Sequence, residues 1–153
     1  MNAMAPFEQI HTDLISAMKS GETERRDTLR MLESALKNEA IELRKPAAEL
    51  AEAEVTAIVR RLCKQRRESA EGYRAGGRAD LAEKEERELV ILESYLPVAL
   101  SEDELRAIVA DAKIETGASS KADFGKLMGS AVKKAAGRAD GNAIKPFVEA
   151  ALA

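Results

Sequence analysis

Apolar residues recur along this chain at three- and four-residue spacing, so the pattern predicts helices and no evident strand. Phe7, Ile10, Leu14 and Met18 fall on one face of a first helix, which Pro6 opens and Gly21 stops after about Ser20. His11 lies near that stripe and reads as a boundary residue satisfied by backbone or water. Thr23 predicts the N-cap of a second helix, about Glu24 to Arg44, with Leu29, Leu32, Leu36 and Leu43 as its buried stripe. Lys45-Pro46 ends it, because the residue before a proline is pushed out of the α region.

The third helix is predicted from about Glu52 to Ala75. Val55, Ile58, Val59, Leu62 and Cys63 give it an apolar face; then Gln65, Arg66 and Ser69 occupy the continuation, and a helix that loses its apolar face leaves the core. Gly76-Gly77 reads as a turn. Asp80 predicts the cap of a fourth helix that starts acidic, with Glu83, Glu85 and Glu86, and becomes nearly all apolar from Leu89 to Leu96, hence deeply buried. Pro97 marks a boundary. Ser101 and Glu104 then form a capping box for a fifth helix ending near Thr116-Gly117. Ser119 or Ser120 is expected to cap a sixth, about Lys121 to Ala135, which Gly137 stops. Asp140 or Asn142 is expected to cap a last short helix to Ala150, begun late or kinked because Pro146 lacks a donor. The expectation is an all-α protein. An N-terminal helical domain, residues 1–97, carries a long antiparallel helical hairpin; a small three-helix tail domain occupies residues 98–153.

Composition narrows how such helices pack. Hydrophobic residues are 45% and charged residues 33% of the 153, so the chain is globular rather than disordered. Aromatics are only 3%, with no Trp, so the core must be aliphatic. The net charge of −3 announces no polyanion partner, but charge is segregated. Arg60 to Arg78 holds seven Lys and Arg against two Glu, a local +5; Gly117 to Ala153 holds six against three acids, a local +3. Such patches can steer a polyanion. They can equally be solvated helix faces, and Arg66, Arg67 and Arg74 can pair with Glu83, Glu85 and Glu86 across the hairpin.

Candidate chemistry is sparse. One cysteine, Cys63, excludes an internal disulfide and a cysteine-based metal site. With His11 the lone histidine, a His-rich metal site is excluded too. Ser119-Ser120-Lys121 has the residue types of an amidase triad, but three adjacent residues entering a helix point apart, and capping is the better reading. No catalytic constellation, metal site or cofactor motif emerges. The start of the chain lacks a basic region followed by an apolar run, and no stretch has membrane-spanning length; the expected location is cytoplasmic. The informative segment is Phe124 to Gly141. Gly125 and Gly129 share one helical face, and each costs about 1 kcal/mol relative to Ala inside a helix. Close approach of another backbone offsets such a cost, and that backbone is either a neighbouring helix or a sugar-phosphate chain. Lys126, Lys133 and Lys134 flank the pair, and Arg138 follows in the next turn.

These residues carry a resemblance. Leu29 to Asn38 (LRMLESALKN), Lys64 to Ser69 (KQRRES), Ala75 to Glu85 (AGGRADLAEKE), the Tyr95-Leu96-Pro97 stop and the closing G-K-x-M-G…G-R-A-D-G resemble the YqeY family over nearly the whole chain. The closing part also resembles the tail domain of the B subunit of the glutamine-dependent aminoacyl-tRNA amidotransferase, a domain that contacts tRNA. The resemblance implies an all-helical protein associated with tRNA, with structured RNA, or with a tRNA-handling complex such as an amidotransferase or aminoacyl-tRNA enzyme. It also implies carbon–nitrogen ligase activity with glutamine as amide donor, although 153 residues leave no room for the amidotransferase's catalytic domains. It makes Gly125, Lys126, Gly129, Lys133, Lys134, Gly137 and Arg138 the RNA-contact candidates. Lys64, Gln65, Arg66, Arg67, Arg74 and Arg78 form a candidate partner surface on the hairpin.

Overall fold

The computed structural model describes residues 4–153. Among them are seven α-helices and no strand: α1 Pro6–Ser20, α2 Thr23–Glu42, α3 Glu52–Ala75, α4 Ala79–Glu93, α5 Glu102–Thr116, α6 Phe124–Ala135 and α7 Gly141–Ala151. Single 3-10 turns at Ala47–Glu49 and Lys121–Asp123 precede α3 and α6. The chain divides into two compact units, the second being Pro97–Ala153.

In the first unit the spacing of aliphatic residues decides the packing. Ile10 and Leu14 of α1, Leu29, Leu32 and Leu36 of α2, Val59 and Cys63 of α3 and Leu92 of α4 are almost inaccessible and form one cluster. α3 lies along α4, α1 along α2, and α2 also touches α4. Gly21 and Gly117 stop α1 and α5 in the left-handed region, at φ 76° and 69°, where a side chain would be strained.

Several boundaries differ from the reading of the sequence. α2 ends at Glu42, and Leu43 lies outside the stripe, 42% exposed, because Arg44 turns the chain at φ 54°. Thr23 is inside the helix rather than its cap. Asp80 falls in the first turn of α4 and caps nothing; its carboxylate accepts from the Arg78 guanidinium at 3.2 Å. The apolar end of α4 is not deeply buried throughout. Leu92 is fully covered, but Val90 is 67% exposed, since α4 has neighbours on one side only. His11 has a side-chain partner that the sequence reading did not name: its Nδ1 lies 2.7 Å from Oε1 of the buried Glu33 on α2.

The second unit is built the same way. Leu105, Val109 and Ala112 of α5, Leu127, Ala131 and Ala135 of α6, and Ile144 and Val148 of α7 form its core. The Ser101–Glu104 capping box is present, with both reciprocal bonds made, at 2.9 and 3.2 Å. Before α6, Ser120 is the N-cap of the 3-10 turn Lys121–Asp123, and the Asp123 carboxylate reaches back to accept from the N–H groups of Ser119 and Ser120 at 2.9 and 3.3 Å. Asp140 caps α7, accepting from Ala143 N–H at 2.8 Å. Pro146 sits inside α7 without delaying it. Pro146 and Asn142 are both exposed, so the carbonyl that loses its donor is open to water. No described helix is long and apolar enough to cross a membrane.

Leu127 is completely buried between the three helices of the tail, and a unit this small has little stability to lose. Leu127→Ala should cost about 2–5 kcal/mol. Amide exchange across α5 to α7, measured in the full chain, should lose most of its protection; unchanged protection would contradict this packing.

Candidate nucleic-acid interface

The helical repeat sorts the α6 residues into two faces. Leu127, Ala131 and Ala135 point into the tail core. Gly125, Gly129 and Val132 lie on the opposite side, as do Lys126 and Lys133, and all five are exposed. A Cβ built on Gly125 or Gly129 meets nothing within 4 Å, so no described helix fills either notch. Neither Lys126 nor Lys133 forms an ion pair with a described carboxylate. Seven residues apart, they stand about 10 Å from each other along the helix axis.

The other three tail candidates are used inside the unit. Lys134 Nζ lies 2.5 Å from Glu115 Oε2 on α5, a pairing that lowers the carboxyl pKa and raises the ammonium pKa. Arg138 Nε donates to the Val98 carbonyl at 3.0 Å, its Nη2 is 3.7 Å from Glu104 Oε2, and its own carbonyl accepts from Leu100 N–H. Arg138 therefore ties the strap 98–100 to the tail. Gly137 is half-buried at φ 80°, following Ala136 at φ 50°, in the turn that ends α6. The structure thus places Gly125, Lys126, Gly129 and Lys133 together on one open face. It adds Val132, which the sequence reading passed over, although its spacing of seven from Gly125 puts it on that face.

On the hairpin the cations are neutralised. Arg74 grips Glu86 with contacts of 2.7–3.0 Å, Arg67 meets Glu93 at 3.1 Å, Arg78 meets Asp80, and Lys64 lies 3.9 Å from Glu68. Gln65 is exposed. Arg66 is the inward member. Its Nε is 3.0 Å from Glu88 Oε2 and 3.5 Å from Glu85 Oε2, in ion-pair reach of both but aligned for a hydrogen bond with neither. Its guanidinium also lies against Met31 Sδ of α2. Burial raises the Glu88 pKa, outweighing the opposing pull of Arg66, and Glu85 adds to the rise. Among the described residues no group of three or more His, Cys, Asp and Glu could hold a metal ion.

The family model for YqeY-like proteins matches residues 7–152. This chain belongs to the YqeY family. Two curated relatives of this YqeY-like chain share the name "Altered inheritance of mitochondria protein 41, mitochondrial". The one from Eremothecium gossypii is 36% identical over 106 residues, covering 67% of this chain and 55% of the relative. The one from Lachancea thermotolerans is 36% identical over 102 residues, covering 65% and 53%. The YqeY-like chain spans about half the length of the curated relatives it matches.

Because the Glu88 pKa is raised in the fold, its contribution to stability is present at acid pH and lost as pH rises through the folded value. Comparing urea midpoints of the native chain and Glu88→Gln, the native chain should gain on the variant as pH falls from about 7 to about 5. A difference that stays constant or reverses would show that Arg66, not burial, governs this carboxylate.

Proposed function

We propose that this YqeY-like chain binds tRNA or another structured RNA through the outward face of α6. The observation that carries the reading is a pair of glycines, Gly125 in the first turn of α6 and Gly129 in its interior, open to solvent beside Lys126 and Lys133, which form no ion pair with a described carboxylate. Gly129 costs helix stability, and no described helix occupies the space that it or Gly125 leaves. A sugar-phosphate backbone laid across α6 would use both features, with the notches allowing close approach and the ammonium groups meeting phosphates. Phe124 and Phe147 are half-buried against the tail core, so no aromatic platform for base stacking is offered, and recognition rests on shape and backbone. The resemblance of this segment to the tRNA-contacting tail of the amidotransferase B subunit supports the same reading.

A second reading makes the chain an accessory subunit of an amidotransferase-like or other tRNA-modifying assembly, with any carbon–nitrogen ligase activity belonging to the complex. The internal pairing of Arg66, Arg67, Arg74 and Arg78 favours it for the hairpin, which keeps little free positive field for RNA and so suits a protein contact. A cytoplasmic place of action is part of both readings, although the two relatives carry "mitochondrial" in their names.

Titration of the full chain with tRNA at low salt should give saturable binding that weakens steeply as salt is added. The double variant Lys126→Glu/Lys133→Glu should lose at least about tenfold in affinity, a difference of about 1.4 kcal/mol. Gly129→Leu, which fills the notch, should lose a similar amount, and Lys134→Ala should change little. Absence of binding, or equal losses from all three lysines, would overturn the assignment of this face.

A further inference from the structure

Thr56 is a polar residue on the buried face of α3, next to Val55 and only 5% exposed. Its hydroxyl makes no hydrogen bond to another described residue and is not itself sealed from solvent; the unsatisfied buried atoms among the described residues are Arg66 Nε and Glu85 Oε2. It borders a cavity of about 370 Å³ where the starts of α1 and α3 meet the end of α4, within the first unit. That volume lies in the range of small-molecule sites.

The polar groups around this cavity are unequal in what they have left to offer. Tyr95 Oη donates to Asp13 at 2.6 Å, Gln9 Nε2 donates to Asp13 at 2.9 Å, and Ser94 Oγ donates to the Ile91 carbonyl at 2.6 Å. The Tyr95 and Ser94 hydroxyl protons are thereby used, while Gln9 Nε2 keeps one N–H and Thr56 keeps its O–H. Charge decides between donors and acceptors: the Glu52 carboxylate forms no ion pair, and the Gln9 amide oxygen is uncommitted. No Lys, Arg or His is among the described lining residues. The positive ends of the two helices are blunted as well. Pro6 has no N–H to present, and the Glu54 carboxylate already takes the Ala51 N–H at the start of α3, at 2.8 Å. Pro6, Ile10 and Val55 supply the apolar wall.

We propose that this cavity binds a small free amine in its protonated form, carried on a short aliphatic body. Glu52 pairs with the ammonium, Thr56 accepts one of its hydrogen bonds, and Ile10 and Val55 cover the hydrocarbon. The site is independent of the RNA-binding reading of α6, and neither stands or falls with the other.

The test is a two-dimensional amide NMR titration of the full chain with hexylammonium chloride, using hexanol and hexanoate as controls with the same body. Hexylammonium should give saturating shifts at Ile10, Val55 and Thr56. Hexanol should bind at least about tenfold more weakly, and hexanoate should not bind. Glu52→Gln, at an exposed position, should weaken the amine about tenfold and leave hexanol unaffected. Thr56→Val should fold normally, because the hydroxyl bonds no described residue, and should also weaken the amine. Nα-acetyl-lysine methylamide, which presents the same ammonium from a peptide, should bind less well than hexylammonium. No saturable shift, binding of hexanoate or hexanol as strong as the amine, an unaffected Glu52→Gln variant, or a lysine amide that binds as tightly would each overturn the assignment.

Discussion

The buried aliphatic stripe of α3 is unbroken from Val55 to Cys63, and the rest of the first unit follows from where it stops. Up to that point α3 is held by apolar contact with α1, α2 and α4. Beyond it, α3 buries only Ala70 and the facing part of α4 only Ala82, and ion pairs link much of the rest of the two hairpin helices. Exposed ion pairs such as Arg67–Glu93 and Arg74–Glu86 contribute little stability each. They act on the field instead. A segment that looks strongly basic when read alone becomes nearly neutral once α4 folds back beside it. Under the proposed RNA-binding reading, the electropositive surface is then left to the tail.

Two neighbouring residues show how that shift is decided. Lys133 and Lys134 are identical in type and adjacent in sequence, yet Lys134 is turned toward Glu115 and paired, while Lys133 acts on Glu115 only from a distance and forms no ion pair with a described carboxylate. A step of about 100° around the helix separates the two outcomes. Arg138 illustrates the same point in another way, since its guanidinium organises the chain leading into α5 rather than facing outward. Counting charge along a segment therefore overstates what the folded surface offers.

Much of the helical architecture was legible because it depends on local signals. Proline at the opening of α1, glycine after α1 and α5, and the Ser101–Glu104 box act within a few residues, so spacing alone reveals them. The errors arose where a distant neighbour decides. Asp80 looked like a cap, but Arg78 claims its carboxylate. Val90 looked buried by hydrophobicity, but no element covers that side of α4. His11 looked satisfied by backbone or water, but a glutamate twenty-two positions away supplies its partner. Of the candidate face on α6, the glycines and lysines were visible in the sequence. Which lysines remain unpaired was not, because that depends on α5.

The placement of Cys63 has a practical side. It is 1% exposed in the middle of the aliphatic cluster, and burial raises its thiol pKa, so little thiolate forms at neutral pH. Oxidants and alkylating reagents reach it only when the bundle opens. The protein therefore carries a built-in opening gauge: the rate at which a thiol reagent labels this single sulfur, in otherwise native buffer, reports how often α3 parts from its neighbours.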